Sequence, residues 1–187
     1  MRIIGGTLRG RAITPPANFE ARPTTDFAKE GLFNILENEY DLSSLSMLDL
    51  FAGTGSISTE FISRGGAESV CVEMNRANVL FIKKSMSSLD IKSVKTVHCN
   101  VFDFLKLCSR GFDLIFADPP YKLPGLDTIP DRVLSATYNN NGTASRILNN
   151  GGYFILEHPN SYNFSGHKNF VKEKKYGNVH FSFFSIL

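Results

Sequence analysis

Asp49-Leu50-Phe51-Ala52-Gly53-Thr54-Gly55 decides the fold of this 187-residue chain. It joins an apolar run, residues 46–50, that reads as a short strand to an amphipathic run, residues 57–64, that reads as a helix stopped by Gly65-Gly66. Glycines between a strand and a helix let the backbone approach a ligand closely, and the helix start offers unpaired N–H groups. Glu73 closes the next strand-like run, 18 residues after Gly55. A carboxylate there can take ribose hydroxyls.

Two features narrow the ligand. The third glycine of a G-x-G-x-x-G dinucleotide loop is replaced by Ser58. Asp49, just before the loop, would repel a pyrophosphate and suits a ligand with a positive centre, such as the amino group of S-adenosylmethionine (SAM).

Outward from the loop, strands and helices alternate. Residues 69–73, 94–99 and 112–117 read as strands, and residues 76–89 and 101–108 as helices. This alternation predicts an α/β fold with a parallel sheet covered on both faces. Residues 131–138 and 144–148 read as helical, with 139–142 as a loop between them. Residues 152–157 read as a strand. Residues 170–175 and 179–185 read as a closing antiparallel hairpin about Tyr176-Gly177-Asn178. Before the alternation, residues 2–13 read as a hairpin turning at Gly5-Gly6, and Thr24-Thr25-Asp26 opens a helix to about Glu39. A sheet that ends in such a hairpin resembles the class I methyltransferases: Rossmann-like, with a mostly parallel seven-stranded sheet.

Composition excludes other classes. Apolar residues make up 42% and charged residues 20%, which is globular rather than disordered or fibrous. No apolar run approaches a membrane span, and the N-terminal residues show no secretory leader. Cys71, Cys99 and Cys108 form no C-x-x-C pair, so neither a disulfide framework nor a zinc site is expected, and a reducing cytoplasmic location fits. None of His98, His158, His167 and His180 has metal-ligand spacing, so no metal is expected. The net charge of +2 is unevenly spread: residues 1–23 and 167–187 each carry +3 and the middle carries −4. Basic ends around an acidic middle suit a polyanion.

Asp118-Pro119-Pro120-Tyr121 follows the buried strand-like run 112–117. Pro120 drives Pro119 out of the helical region and both rings fix their own φ, so the loop is stiff. It can hold the Asp118 carboxylate and the Pro119 carbonyl as two fixed acceptors. An exocyclic nucleobase amine is a poor nucleophile because its lone pair is delocalised. Two hydrogen bonds from that –NH₂ pull the nitrogen toward tetrahedral geometry and stabilise the charge that develops on attack. Tyr121 can stack on the base, a contact worth roughly 1–3 kcal/mol.

With these motifs, Arg2-Ile-Ile-Gly-Gly-Thr-Leu-Arg-Gly-Arg11, Arg22-Pro-Thr-Thr-Asp26, Glu30 and Leu32-Phe-Asn34 make the chain resemble the RsmD family nearly throughout. Those enzymes methylate N2 of one guanine in 16S ribosomal RNA. The resemblance implies SAM as cofactor, with Asp49, Phe51, Ala52, Gly53 and Gly55 at its methionine end. Glu73 takes the ribose, Met74 packs beside the adenine, and Asn100 and Val101 meet the adenine edge. Asp118 also belongs to that cofactor set; with Pro119 and Tyr121 it forms the target-amine site. Arg2, Arg9, Arg11 and Arg22 contact RNA. Residues 1–40 are then an RNA-binding extension and residues 41–187 the methyltransferase domain. The partner implied is 16S rRNA within the small ribosomal subunit or its assembly intermediate, bound by a cytoplasmic monomer. The Asp-Pro-Pro-Tyr loop alone equally serves an adenine-N6 methyltransferase on DNA or RNA, and a non-catalytic RNA-binding assembly factor is a further alternative.

The chain departs from the family pattern in places. Phe27-Ala28-Lys29-Glu30 stands for Arg-Val-Arg-Glu, so one lysine replaces two arginines and this helix face loses RNA contacts that the family pattern would offer. Lys84 stands for Asn, and Asn100 for the Asp of many members. Phe181, Phe183 and Phe184 read as core, and Lys172, Lys174 and Lys175 as a solvated strand face or phosphate contacts.

Overall fold

The computed structural model describes residues 2–15 and 24–186. Its first regular element is helix α1 (Asp26–Glu39), whose N-cap Thr25 accepts the Ala28 N–H, followed by strand β1 (Ser46–Leu50). Then come α2 (Ser56–Ser63), β2 (Glu68–Glu73), α3 (Arg76–Ser88), β3 (Val94–His98), α4 (Val101–Leu107) and β4 (Phe112–Ala117). The last third holds α5 (Ile129–Ser135), β5 (Thr137–Asn140), β6 (Thr143–Arg146), β7 (Leu148–His158), β8 (Phe170–Tyr176) and β9 (Val179–Phe184).

Seven strands form one sheet in the order β3-β2-β1-β4-β7-β9-β8. β3 through β7 are parallel, and β9 inserts antiparallel between β7 and β8. This is the expected class I methyltransferase sheet with its closing hairpin. Alternation along β1 and β4 divides the core. Leu48, Leu50, Ile115 and Ala117 pack with α4 and α5, while Met47, Leu114 and Phe116 pack with α1 and α2. Phe181 and Phe183 join the second cluster and Phe184 the first, all fully buried, so this aromatic cluster is core.

Two regions differ from the sequence expectation. Residues 144–148 are not helical, and the helix expected over 131–138 ends at Ser135, with Thr137–Asn140 forming a strand. Thr143–Arg146 pairs antiparallel with Thr137–Asn140 across Asn141-Gly142, both at positive φ (51° and 87°). That pair of left-handed residues suits a two-residue hairpin turn, and Asn-Gly is its favoured sequence. The N-terminal segment is hairpin-like but does not turn at Gly5-Gly6. Arg2 bridges Ala12 and the Ile3 N–H bonds Arg11, so the chain reverses over the residues between. Ile4 and Gly5 donate their N–H groups to Glu60 of α2 instead of to a sister strand. A Cβ on Gly6 would lie 1.7 Å from the Ser63 carbonyl oxygen, so only glycine fits against α2 there.

Candidate active site

Parallel strands β1, β2, β3 and β4 all end at one edge of the sheet, and ligands of open α/β sheets bind there. The edge gathers Asp49, Glu73, Asn100 and Asp118. Asp118 is tied to the glycine loop through its N–H, which donates to the Leu50 carbonyl at 3.4 Å.

The loop after β1 is forced into left-handed backbone at Phe51 (φ 60°), Gly53 (φ 54°) and Gly55 (φ 72°). Phe51 is the one without glycine's freedom, and such strain clusters at ligand sites. Its ring meets Phe102 edge-on at 6.3 Å. Ala52 is buried against Cys71, Ile82 and Met86, so it anchors the loop from below.

Asp49 is only 2% exposed. Its Oδ2 accepts the Ser58 hydroxyl at 2.7 Å and the Ser58 N–H at 3.3 Å. Ser58, standing where a dinucleotide loop has its third glycine, thus holds the acid in place. Burial pushes the Asp49 carboxyl up to about 7, against the Ser58 hydrogen bonds and with help from Glu73. A positive centre beside it would favour the ionised form.

Glu73 accepts the Gly53 N–H through Oε2 at 2.8 Å and the Asn75 N–H through Oε1 at 2.7 Å. Each oxygen keeps a second lone pair. The carboxylate is therefore pre-oriented and can still accept two ribose hydroxyls. Met74 beside it is 65% exposed, and its sulfur lies 3.7 Å from the Asn100 amide nitrogen. Asn100 caps α4 by accepting the Phe102 N–H at 2.9 Å, and Val101 is buried beneath it. His98 Nε2 meets the Met74 carbonyl at 2.9 Å.

Pro119 is buried and Tyr121 half-buried. Burial raises the Asp118 carboxyl well above the ordinary carboxylate range, and the nearby charges of Glu157 and Asp49 raise it further. Glu157, at the end of β7, escapes a motif search. The register Ala117↔Leu156 sets β7 beside β4 and carries Glu157 to the Asp118 loop. Its Oε1 accepts the Tyr121 hydroxyl at 3.3 Å and its Oε2 the Thr24 hydroxyl at 2.7 Å. Thr24 lies just before Thr25, the N-cap of α1, so this contact ties the entry to α1 to Glu157 beside the Asp118 loop.

Of the four arginines expected to touch RNA, Arg2, Arg9 and Arg11 are exposed and Arg22 lies outside the described residues. Arg2 pairs with Asp26 at 3.3 Å. Lys29 does not face solvent, being 1% exposed. Its ammonium donates to the Arg2 carbonyl at 2.6 Å and the Ser56 hydroxyl at 3.0 Å, and lies 3.6 Å from Glu60. Desolvation lowers its pKa, opposed chiefly by Glu60. Phe27 occupies the outer face instead, 70% exposed, with its ring edge against Tyr176. On the closing hairpin, Lys172 pairs with Glu39 and Lys175 with Glu173, while Lys174 is exposed.

The sheet order, the glycine loop with its acidic partner and the Asp-Pro-Pro-Tyr loop define a class I SAM-dependent methyltransferase. A family model described as conserved hypothetical protein 95 matches residues 1–185. The ribosomal RNA small subunit methyltransferase D of Buchnera aphidicola subsp. Baizongia pistaciae is 30% identical over 98% of this chain and 91% of its own. The chain belongs to this ribosomal RNA small subunit methyltransferase D (RsmD) family. A hypothetical protein of Thermus thermophilus superposes with a TM-score of 0.84 at 26% identity, over 100% of this chain and 99% of that one. A T. thermophilus 16S rRNA N2 G1207 methyltransferase, solved with AdoMet and guanosine, shares the fold at 22% identity and a TM-score of 0.64, over 89% of this chain and 44% of that one.

Proposed function

We propose that the chain methylates the exocyclic N2 amine of a guanine in 16S ribosomal RNA, within the small subunit or its assembly intermediate. The observation that carries this reading is the coupling of the Asp118-Pro119-Pro120-Tyr121 loop to the glycine loop through Asp118 and Leu50. It sets two amine acceptors beside a loop suited to SAM.

The residues at the edge fit SAM. Asp49, Phe51, Ala52, Gly53 and Gly55 would hold its methionine end, Glu73 its ribose, and Met74, Asn100 and Val101 its adenine. When bound, SAM supplies an electrophilic methyl group. The chain's own groups prepare the amine. Asp118 and the Pro119 carbonyl accept its two N–H donors and orient the nitrogen lone pair. An amine donating to Asp118 favours the carboxylate that Glu157 and burial oppose. Tyr121 stacks on the base, which must leave its helix to reach the pocket. Residues 1–40 act as an RNA-grasping extension on residues 41–187. Arg2, Arg9, Arg11 and Arg22 bind phosphates, which position the RNA without selecting the base. The protein acts as a cytoplasmic monomer. Among the described residues no helix is long and apolar enough to cross a membrane.

The test is methyl transfer from labelled SAM to small subunits from cells lacking this enzyme, with the labelled nucleoside identified. N2-methylguanosine at one position is expected. N6-methyladenosine would keep the amine chemistry and overturn the base. Absence of label despite SAM binding would overturn the substrate.

A further inference from the structure

The three strands β7, β9 and β8 lie side by side at the closing end of the sheet. Their register sets His158 opposite His180, and Glu173 opposite Ser182, two residues along β9 from His180. Residues two apart on a strand share a face. His158, His180 and Glu173 therefore project from three neighbouring strands to one side. Glu173 Oε1 lies 2.9 Å from His180 Nδ1 and 3.9 Å from His158 Nε2. All three ligand-capable atoms lie within 4.8 Å of one another. Both imidazoles are buried and Glu173 is half-buried.

The chemical states suit a cation. His158 Nδ1 is 3.0 Å from the Pro159 carbonyl oxygen, which can only accept. Nδ1 thus carries the proton, and Nε2 turns its lone pair toward the cluster. An imidazole whose outer N–H is fixed by a backbone carbonyl is the arrangement that orients metal-bound histidines. Burial lowers the His158 pKa. Burial pushes Glu173 up, but bonds from His180 and Lys175 outweigh it and hold the carboxyl below its ordinary value. Lys175 engages the other oxygen, Oε2, at 3.2 Å, so Oε1 faces the two rings.

We propose that His158, Glu173 and His180 bind a divalent first-row transition-metal ion, with zinc the best match. Two nitrogens and one carboxylate oxygen favour zinc over magnesium or calcium, which take all-oxygen sets. In a tetrahedral zinc site with bonds of about 2.0–2.1 Å, neighbouring ligand atoms sit roughly 3.4 Å apart. The separations of 2.9 and 3.9 Å straddle that value. Without metal the same groups hydrogen-bond: His180 Nδ1–H donates to Glu173, and the Ser182 hydroxyl donates to His158 Nε2 at 2.8 Å. On binding, water relays the His180 ring proton from Nδ1 to Nε2, so that Nδ1 gives its lone pair to the metal, the Ser182 hydroxyl turns away, and water takes the fourth position. The ion staples the closing hairpin to β7. Because strand residues alternate, it does so on the face opposite Glu157 and leaves the target-amine site to its own chemistry.

The experiment uses tag-free protein stripped with EDTA and titrated with ZnCl₂, read by calorimetry, thermal melting and bound-metal analysis. One equivalent of zinc at micromolar affinity or tighter, with a raised melting temperature, is expected. Replacing zinc by Co²⁺ should give the visible absorption of a tetrahedral N/O site. Glu173→Gln and His180→Gln should each weaken zinc at least about tenfold, as expected for a lost ligand, while SAM affinity, unchanged, reports an intact fold. Glu173 is only half-buried, so its variant keeps the test open if His180→Gln fails to fold. Absence of saturable binding, or binding unaltered in a folded variant, would overturn the proposal.

Discussion

At the ends of β1 and β2 each carboxylate is met by donors: Asp49 by the Ser58 N–H and hydroxyl, Glu73 by the Gly53 and Asn75 N–H groups. At the end of β4, burial and then the nearby charge of Glu157 raise the Asp118 carboxyl well above the ordinary carboxylate range, while Glu157 at the end of β7 accepts the Thr24 and Tyr121 hydroxyls. The half proposed for the cofactor is pre-organised by bonds already made. The half proposed for the target holds Asp118, whose charge a donor-bearing substrate would relieve. Binding strength should therefore reside on one side of the crevice and chemistry on the other.

The comparison breaks most visibly at Asp118. Asp118→Ala removes an amine acceptor felt most strongly as charge develops, so kcat should fall by about 10³-fold. SAM affinity, measured by calorimetry, should stay within about threefold, because the donors of the cofactor half are untouched. A matched loss of SAM affinity would show that the two halves are one unit.

Glu73→Ala should do the reverse. It removes the tie to Gly53 and the acceptors for the ribose. A hydrogen bond to a charged group contributes about 1.5–3 kcal/mol, so the net loss of one such bond should weaken SAM binding about 10–150-fold. The rate at saturating SAM should fall far less.

Asp49 sharpens the contrast through pH. Its carboxyl is pushed from an ordinary 3.8 up to about 7, mainly by burial. A ligand with a positive centre prefers the ionised form. SAM affinity should rise as pH climbs toward about 7, by up to about tenfold per unit, and level off above it. Unliganded stability runs the other way. Between about 4 and about 7 the native state holds a proton that the unfolded chain has lost, so stability falls as pH rises through that window. Asp49→Asn should flatten both profiles; a slope that survives would assign it to another group.

How much of this was legible follows from how local each feature is. The glycine loop, Glu73 and Asp118-Pro119-Pro120-Tyr121 each sit at the end of a strand that its own apolar run announces, and the sheet brings them to one edge. Glu157 needed the strand order: only the pairing of β7 with β4 makes it a neighbour of Asp118. The place of Lys29 was not legible: a lysine on a helix ordinarily faces water, whereas here its partners are Glu60 and the Arg2 carbonyl. The β5–β6 hairpin was announced by Asn141-Gly142, but its flanks are polar and carry no period-two apolar pattern. His158 and His180 are 22 positions apart, and only antiparallel register sets them face to face.

The smallest effect belongs to the Tyr121 hydroxyl. It donates to Glu157 across 3.3 Å, a long bond, while the ring supplies the face on which a base would stack. Tyr121→Phe keeps the ring and should lower kcat/KM by no more than about threefold, the share of a weak hydrogen bond. Tyr121→Ala removes the stacking surface, worth roughly 1–3 kcal/mol, and should cost about 5–150-fold. The split between KM and kcat then places the residue. A loss confined to KM for RNA would mean that the ring only holds the base. A loss in kcat would mean that it also sets the angle at which the amine meets Asp118. Were Tyr121→Phe as damaging as Tyr121→Ala, the hydroxyl and Glu157 would be positioning the loop itself. The target half would then be as pre-organised by hydrogen bonds as the cofactor half.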